Sequence, residues 1–445
     1  MGQPAVEPKA HMSKDPKADV GSLFISNYPP FSFWDRNQVA KVEQVLEESP
    51  ETDTPLGLYI HIPFCRKRCK FCYFKVYTDK NSKEIQNYLD AVAREAHNLA
   101  QRPLLRGRRP DFVYIGGGTP SYISARHLRN LIDRLRTAFP WDRVKEFTFE
   151  CEPGTLTQAK LEAIREIGVT RLSLGVENFD DKILEENGRA HISTEIYRVQ
   201  PWIKAQGFDQ LNIDLISGMV GETWANWKNN IQKAVDYDPD SITIYQMELP
   251  YNTVYSHGLL EDNNRLAFAD WETKRAWHHY AIETLQDAGY AISSAYTMVK
   301  KDRPVKFLYR DALWRGADLI PLGVSSFGHA KGIHYQNEPS LQPYLELVEQ
   351  DRFPAKRAFT TSATNRLIRE MILQLKTGRL ETAYFQKKFG ENILDLFAEP
   401  YARHQRDGFL TLGPDHVTLT RKGLLQVDTL LPAFYEPFYQ NARYT

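Results

Sequence analysis

HIPFCRKRCKFCYF, residues 61–74, holds three of the four cysteines of a 445-residue chain: Cys65, Cys69 and Cys72, spaced C-x3-C-x2-C. Thiolates are soft ligands that select zinc, copper(I) or iron–sulfur clusters. A structural zinc site takes four ligands, usually as two separated pairs. Here three lie close together, and His61 or the distant Cys151 would have to complete the set. A [4Fe–4S] cluster takes four cysteines when every iron has a protein ligand. Three leave one iron open, the kind of position that catalytic metal sites keep for a small molecule. Buried free thiols fit poorly, because the flanking RKRCK is strongly polar.

Other chemistry-bearing residues recur at regular places. Gly116-Gly117-Gly118-Thr119-Pro120 lacks the Gly-Lys-Ser/Thr of a phosphate-binding P-loop. It suits a tight turn or a backbone that approaches a ligand closely. Glu150, in FECEP, suits ribose hydroxyls as a carboxylate at a strand end. Its neighbour Cys151 points to the other face by strand alternation and reads as a small buried hydrophobe. Arg189, in NGRAHIS, offers a bidentate fork to a carboxylate, while His191 suits a structural place at a helix start better than a base. Asp214, in LNIDLISG, interrupts an apolar run, which is costly unless the carboxylate is paired or faces a ligand.

These residues need a scaffold, and the pattern around them supplies one. Strand-like runs at 57–62, 111–116, 146–151, 170–176, 210–216 and 241–247 alternate with helical periodicity at 81–101, 125–138, 155–166, 180–187 with 194–206, 223–236 and 267–288. Six such alternations imply a parallel sheet with helices outside and right-handed crossovers. The fold class is α/β, a partial (β/α)6 TIM-like barrel, with an open doubly wound sheet as the alternative. In both, ligands bind at the carboxyl ends of the strands, where the residues above stand. Further strand-like runs follow 290. Residues 362–430 read as helices plus a β pair, like a small winged-helix module.

Charge balances at 56 Lys+Arg against 56 Asp+Glu. That argues against a nucleic-acid surface, and the winged-helix-like module reads as a lid or docking element. No apolar run approaches a membrane span, and the first 20 residues carry neither a secretory h-region nor a myristoylation signal. Sparse cysteine and a polar start point to the cytoplasm.

YIHIPFCRKRCKFCYF resembles the cluster loop of the radical S-adenosylmethionine (SAM) superfamily and, more narrowly, the oxygen-independent coproporphyrinogen III oxidase-like (HemN-type) family, over roughly residues 20–430. The resemblance implies a [4Fe–4S] cluster on Cys65, Cys69 and Cys72, whose open iron chelates SAM and cleaves it to a 5′-deoxyadenosyl radical. It implies SAM contacts by Tyr59, Phe71, Gly117, Gly118, Thr119, Glu150, Glu177, Arg189 and Asp214, with catalytic parts for Tyr59 and Glu177. Glu177 stands where the family commonly has Gln, and is expected to pair with the SAM sulfonium or with Arg189, or to reflect a changed substrate. Two SAM molecules are expected, with a low-potential donor such as flavodoxin or ferredoxin and a small-molecule substrate, a tetrapyrrole or another. The expected organisation is a disordered tail (1–20), an extension covering the active site (21–54), the radical SAM barrel (55–290), a family-specific extension (291–355) and a winged-helix-like C-terminal domain (356–445).

Three branches of the family remain open. Coproporphyrinogen oxidases usually carry a further cysteine where this chain has Phe74. Haem chaperones carry His-Asn-x-x-Tyr-Trp where it reads Tyr309-Arg310-Asp311-Ala312-Leu313-Trp314. Class C methyltransferases and cyclopropanases share the core without either signature and use a second SAM as carbon donor.

Overall fold

The computed structural model describes residues 24–51, 53–257 and 268–440. The expected tail, 1–20, lies outside the described residues. Six strands follow the sequence rhythm: β1 (Leu56–Ile62), β2 (Phe112–Gly117), β3 (Glu146–Cys151), β4 (Arg171–Glu177), β5 (Gln210–Ser217) and β6 (Ser241–Gln246). Each pairs in parallel with the next, β1 through β6 in chain order. Their apolar residues are buried on the helix-facing side, including Leu58, Ile60, Val113, Ile115, Phe149, Leu172, Leu174, Ile213, Leu215 and Ile244. The recurrence of apolar residues at every second position of these short runs is what made the strands visible in the sequence.

Local chemistry starts the helices between them. Asn81 caps Ser82–Ala100 in a capping box with Glu84, and Ser124, Thr157, Asp180, Thr223 and Asp270 cap the helices beginning at 125, 158, 181, 224 and 271. Each cap satisfies backbone N–H groups that the first helical turn leaves without partners.

Beyond residue 290 the chain returns to the same sheet. A hairpin, β7 (Tyr290–Ile292) and β8 (Thr297–Lys300), adds antiparallel to β6. On the opposite edge β9 (Asp318–Leu322) pairs in parallel with β1. It is followed by an antiparallel run of β10 (Phe327–Ala330), β11 (Ile333–Asn337) and β12 (Ala355–Thr360). The described sheet thus runs β12-β11-β10-β9-β1-β2-β3-β4-β5-β6-β8-β7. β12 straddles the division expected at 355/356, because its ladder to β11 continues through Thr360. The C-terminal region carries the helix Ala363–Leu375, shorter helices between 382 and 406, and a small sheet of Arg379–Glu381, His416–Leu419 and Leu410–Leu412 in that order. That element order agrees with a winged-helix-like module. No helix among the described residues is long and apolar enough to cross a membrane.

Side chains from β1 to β6 and from β9 to β12 all line one cavity of about 1070 Å³. The sheet therefore curves around it as a partial barrel. Phe24, Ser26, Asn27, Phe31 and Trp34 of the N-terminal segment, and residues 424–429 of the C-terminal region, line it as well.

Candidate functional site

The cavity gathers all twelve residues expected to bind the cluster or SAM: Tyr59, Cys65, Cys69, Phe71, Cys72, Gly117, Gly118, Thr119, Glu150, Glu177, Arg189 and Asp214. They arrive from the ends of β1 to β5 and from the loops that follow, as a parallel α/β sheet dictates.

The cysteine loop and the glycine loop are laced together. Gly118 N donates to Ile62 O at 2.7 Å and Thr119 N to Phe64 O at 2.8 Å. Thr119 Oγ1 donates to Cys65 Sγ at 3.4 Å. A Cβ on Gly118 would stand 2.8 Å from Cys65 Sγ and 2.9 Å from Phe64 O, so only glycine fits. Gly117 has φ +119°, a region that side chains avoid, and its N–H donates to Glu150 Oε2 at 3.1 Å.

Glu150 also accepts from Tyr114 Oη at 2.6 Å. Burial, with Asp214 nearby, raises its carboxyl to about 7 despite these two donors. Glu177 sits where the β4–β5 register slips between Gly175 and Glu177, in the left-handed region at φ +61°. A non-glycine residue in that conformation stores backbone strain, a feature that clusters at functional sites. Burial brings its carboxyl to about 7, with Arg189 opposing the rise and Asp214 adding to it. Of the two partners expected for Glu177, Arg189 is within reach, at 3.5 Å. Arg189 also donates to Cys69 Sγ at 3.4 Å and to Gly175 O at 3.0 Å.

Asp214 is paired as its place in an apolar strand requires. It accepts from Ser173 Oγ at 2.8 Å and Asn212 Nδ2 at 3.0 Å. Asn212 Oδ1 in turn accepts from Ser241 Oγ and Thr243 Oγ1. Burial still raises the Asp214 carboxyl. Tyr59 Oη lies 3.0 Å from His61 Nδ1, and burial beside Glu150 pushes its phenol well up. Phe71 packs on Ile183, Met219 and Met247.

The donor set fits an iron–sulfur cluster better than a single ion. Among the described residues, no three of His, Cys, Asp and Glu are grouped as ligands of one metal ion. Cluster thiolates each bind a different iron, so they need to surround a volume and not a point. Of the two candidates for a fourth zinc ligand, Cys151 packs with the apolar core, its thiol beside Ser121. Burial raises the thiols of Cys65 to about 11 and Cys72 to about 12, so loading metal must release protons. His61 Nε2 and Arg189 Nε are buried without partners, polar atoms that a bound group can satisfy.

His191 does not line the cavity. Its ring bridges Val176 O at 3.2 Å and Glu152 at 3.4 Å, the structural place expected of it. Several lining residues were missing from the sequence expectations: Tyr114, Tyr245 and Tyr309 around Glu150, Ser173 beside Asp214, and Glu152, which pairs with Arg66 at 3.2 Å. Strand alternation held the signal for two of them, since Ser173 shares a face with Gly175, and Tyr245 with Thr243. Of the stretch 309–314, Tyr309 and Leu313 line the cavity, whereas Arg310 packs against Phe307 and Trp314.

Residues 59–234 match the family described as the radical SAM superfamily. The chain is 27% identical to the heme chaperone HemW of Bacillus subtilis (strain 168) over 380 residues, covering 84% of this chain and 98% of the relative. It is 25% identical to the oxygen-independent coproporphyrinogen III oxidase of Escherichia coli (strain K12) over 417 residues, 90% of this chain and 89% of the relative. The solved structure of the E. coli coproporphyrinogen III oxidase HemN superposes with a TM-score of 0.80 at 23% identity, over 94% of this chain and 99% of the other. The family match spans residues 59–234, and the chain shares the overall fold of the HemN structure, which brings the cysteine and glycine loops to one cavity.

Proposed function

We propose that the protein is a radical SAM enzyme of the coproporphyrinogen III oxidase-like kind, acting by oxidative decarboxylation in porphyrin biosynthesis. The observation that carries this is the convergence of three cysteines, the glycine loop and four charged side chains, Glu150, Glu177, Arg189 and Asp214, on one part of a cavity of about 1070 Å³. Pockets for one drug-sized ligand run to roughly 300–1,000 Å³, so this cavity has room for a cofactor and a substrate together. Bound there, the cluster and SAM supply a 5′-deoxyadenosyl radical able to abstract a hydrogen atom.

This chain's residues hold the components. Cys65, Cys69 and Cys72 ligate the cluster. The carbonyls of Gly117 and Gly118 face the SAM amino group, and Arg189 faces its carboxylate as a planar fork. Glu150 and Asp214 take the adenosine side. Tyr59 and Glu177 border the reacting centre, where burial excludes water. A low-potential flavodoxin- or ferredoxin-like donor supplies the electron, and a second SAM shares the cavity.

A second reading, heme binding without turnover, is favoured by the extent of the match to HemW. Arg310 and Trp314, which pack on one another away from the cavity, count against it. The test is anaerobic turnover of reconstituted protein with SAM, reductant and coproporphyrinogen III, followed by mass spectrometry. Loss of two carboxyl groups from the tetrapyrrole supports the proposal. Deoxyadenosine with a methyl or methylene added to an acceptor selects the class C alternative instead. Tight heme binding with no deoxyadenosine overturns the enzyme reading.

A further inference from the structure

The antiparallel strands β10, β11 and β12 carry a set of side chains that the SAM site does not use. Register places Phe327 opposite Gln336 and His329 opposite His334, and Gln336 opposite Arg357. Alternation puts all five on one face of the sheet. Phe327, His329, Gln336 and Arg357 line the cavity, together with Arg369 from the helix 363–375.

Hydrogen bonding fixes the histidine tautomers. His334 Nε2 lies 3.1 Å from Tyr28 O. A carbonyl only accepts, so that nitrogen carries the hydrogen. His334 Nδ1 lies 2.9 Å from His329 Nδ1. Both rings are buried, and burial holds both neutral, well below the usual histidine range. In a neutral ring only one nitrogen is protonated, so His334 Nδ1 accepts and His329 Nδ1 donates. His329 Nε2 therefore presents a bare lone pair. It has no partner among the described residues, on a side chain only 6% exposed that lines the cavity.

Two cations line the same cavity, Arg369 close enough to act on His329 through its charge and Arg357 across the sheet beside Gln336. Arg357 spends its Nε on Gln336 Oε1 at 2.7 Å, and Arg369 uses Nε on Asn27 Oδ1 at 2.6 Å and Nη1 on Leu313 O at 3.0 Å. Neither forms an ion pair within the described residues, although Arg369 is as buried as His329. A buried cation without a counter-charge is costly, and an anionic ligand relieves that cost. The remaining wall is aromatic: Phe327, which is 41% exposed, meets Phe31 at 6.2 Å and Trp34 at 5.7 Å between ring centroids.

We propose that this face is a binding subsite for an aromatic acid that presents a ring N–H beside its carboxylate. The N–H donates to His329 Nε2, the carboxylate sits against Arg357 and Arg369, and the ring packs on Phe327. His334 is a positioning residue that keeps His329 an acceptor. The role of the subsite in turnover rests on the function proposed above, but ligand binding to it requires neither cluster nor SAM.

The test is calorimetric titration of the full chain, without SAM or reductant, using indole-2-carboxylate and benzofuran-2-carboxylate. The two acids differ in a ring N–H against a ring oxygen. A site that hydrogen-bonds a donor discriminates against the analogue lacking it, here by about tenfold. That gap should vanish in His329→Phe, shrink in His334→Phe, where His329 is free to change tautomer, and survive in part in His329→Asn, which keeps an acceptor. Arg369→Gln should weaken both acids alike. Circular dichroism and thermal melting establish that each variant is folded. Equal affinity of the two acids for the wild type, binding of neither, or an undiminished gap in folded His329→Phe would each overturn the subsite.

Discussion

The two ends of the cavity are built by different rules. At the cluster end, parallel strands β1 to β5 deliver short contiguous motifs: a cysteine loop, a glycine loop and single carboxylates at strand ends. Charge there is mixed, with the carboxylates Glu150, Glu152, Glu177 and Asp214 set against Arg189 and the basic residues of the cysteine loop, Arg66, Lys67 and Arg68. At the other end, the antiparallel face of β10 to β12 and the helix 363–375 supply Arg357, Arg369 and two neutral histidines. The first end is held by backbone: carbonyls of the cysteine loop accept from the glycine loop, and a Cβ would break the fit. The second is held by side chains that meet across long sequence separations, such as Arg369 with Asn27. Binding a metal cluster demands fixed backbone approach, whereas recognising an organic substrate needs only a few placed polar groups on an aromatic wall.

The sharpest way to separate the two ends is Cys69→Ala. It should abolish both iron–sulfur absorbance after anaerobic reconstitution and deoxyadenosine formation; persistence of both means the ligand assignment is wrong. Next comes Arg189→Ala, measured by SAM titration of the reconstituted protein. Loss of a charge-assisted contact is worth roughly 1.5–3 kcal/mol, or about 10–150-fold in affinity. Arg369→Gln, at the opposite end, should change SAM affinity far less. If the two variants weaken SAM equally, the division of the cavity fails.

Glu150→Gln probes the acidic end through pH. The folded carboxyl sits near 7, above its ordinary value. The folded state therefore loses stability as pH rises from roughly 4.5 through 7, by up to roughly 3 kcal/mol in the ligand-free protein. The glutamine variant lacks this loss. Its melting temperature should exceed the wild type near pH 8, and the advantage should disappear near pH 4; a constant difference would contradict the raised carboxyl. The smallest effect contrasts two glycines. Gly118→Ala forces a methyl against Cys65 and Phe64, and should cost about 1–3 kcal/mol and lower iron loading. Gly107→Ala meets open space at φ +76° and should cost about 1 kcal/mol with full loading.

Much of the cluster end was legible in the sequence because its signals are local. C-x3-C-x2-C, GGGTP and the lone Asp214 in an apolar run each carry their meaning within about ten residues. The six strand–helix alternations were legible for the same reason, since the buried helix-facing side of each strand writes a local apolar pattern of period two. β9 as a parallel neighbour of β1 was not, because pairing between residues 56–60 and 318–322 leaves no periodic trace in either segment. Nor was the bulge at Glu177, whose left-handed backbone arises from the register slip against β5.

Sequence alone therefore determined the candidate ligand types, their order and the kind of sheet that presents them, because spacing and hydrophobic period are properties of a few neighbouring residues. Tertiary structure decided what those residues face. It paired Glu177 with Arg189, sent His191 into the wall and Cys151 into the core, and left His329 with a bare nitrogen in the cavity. Those outcomes depend on which distant strand or helix supplies the hydrogen-bond partner, and no local spacing encodes that.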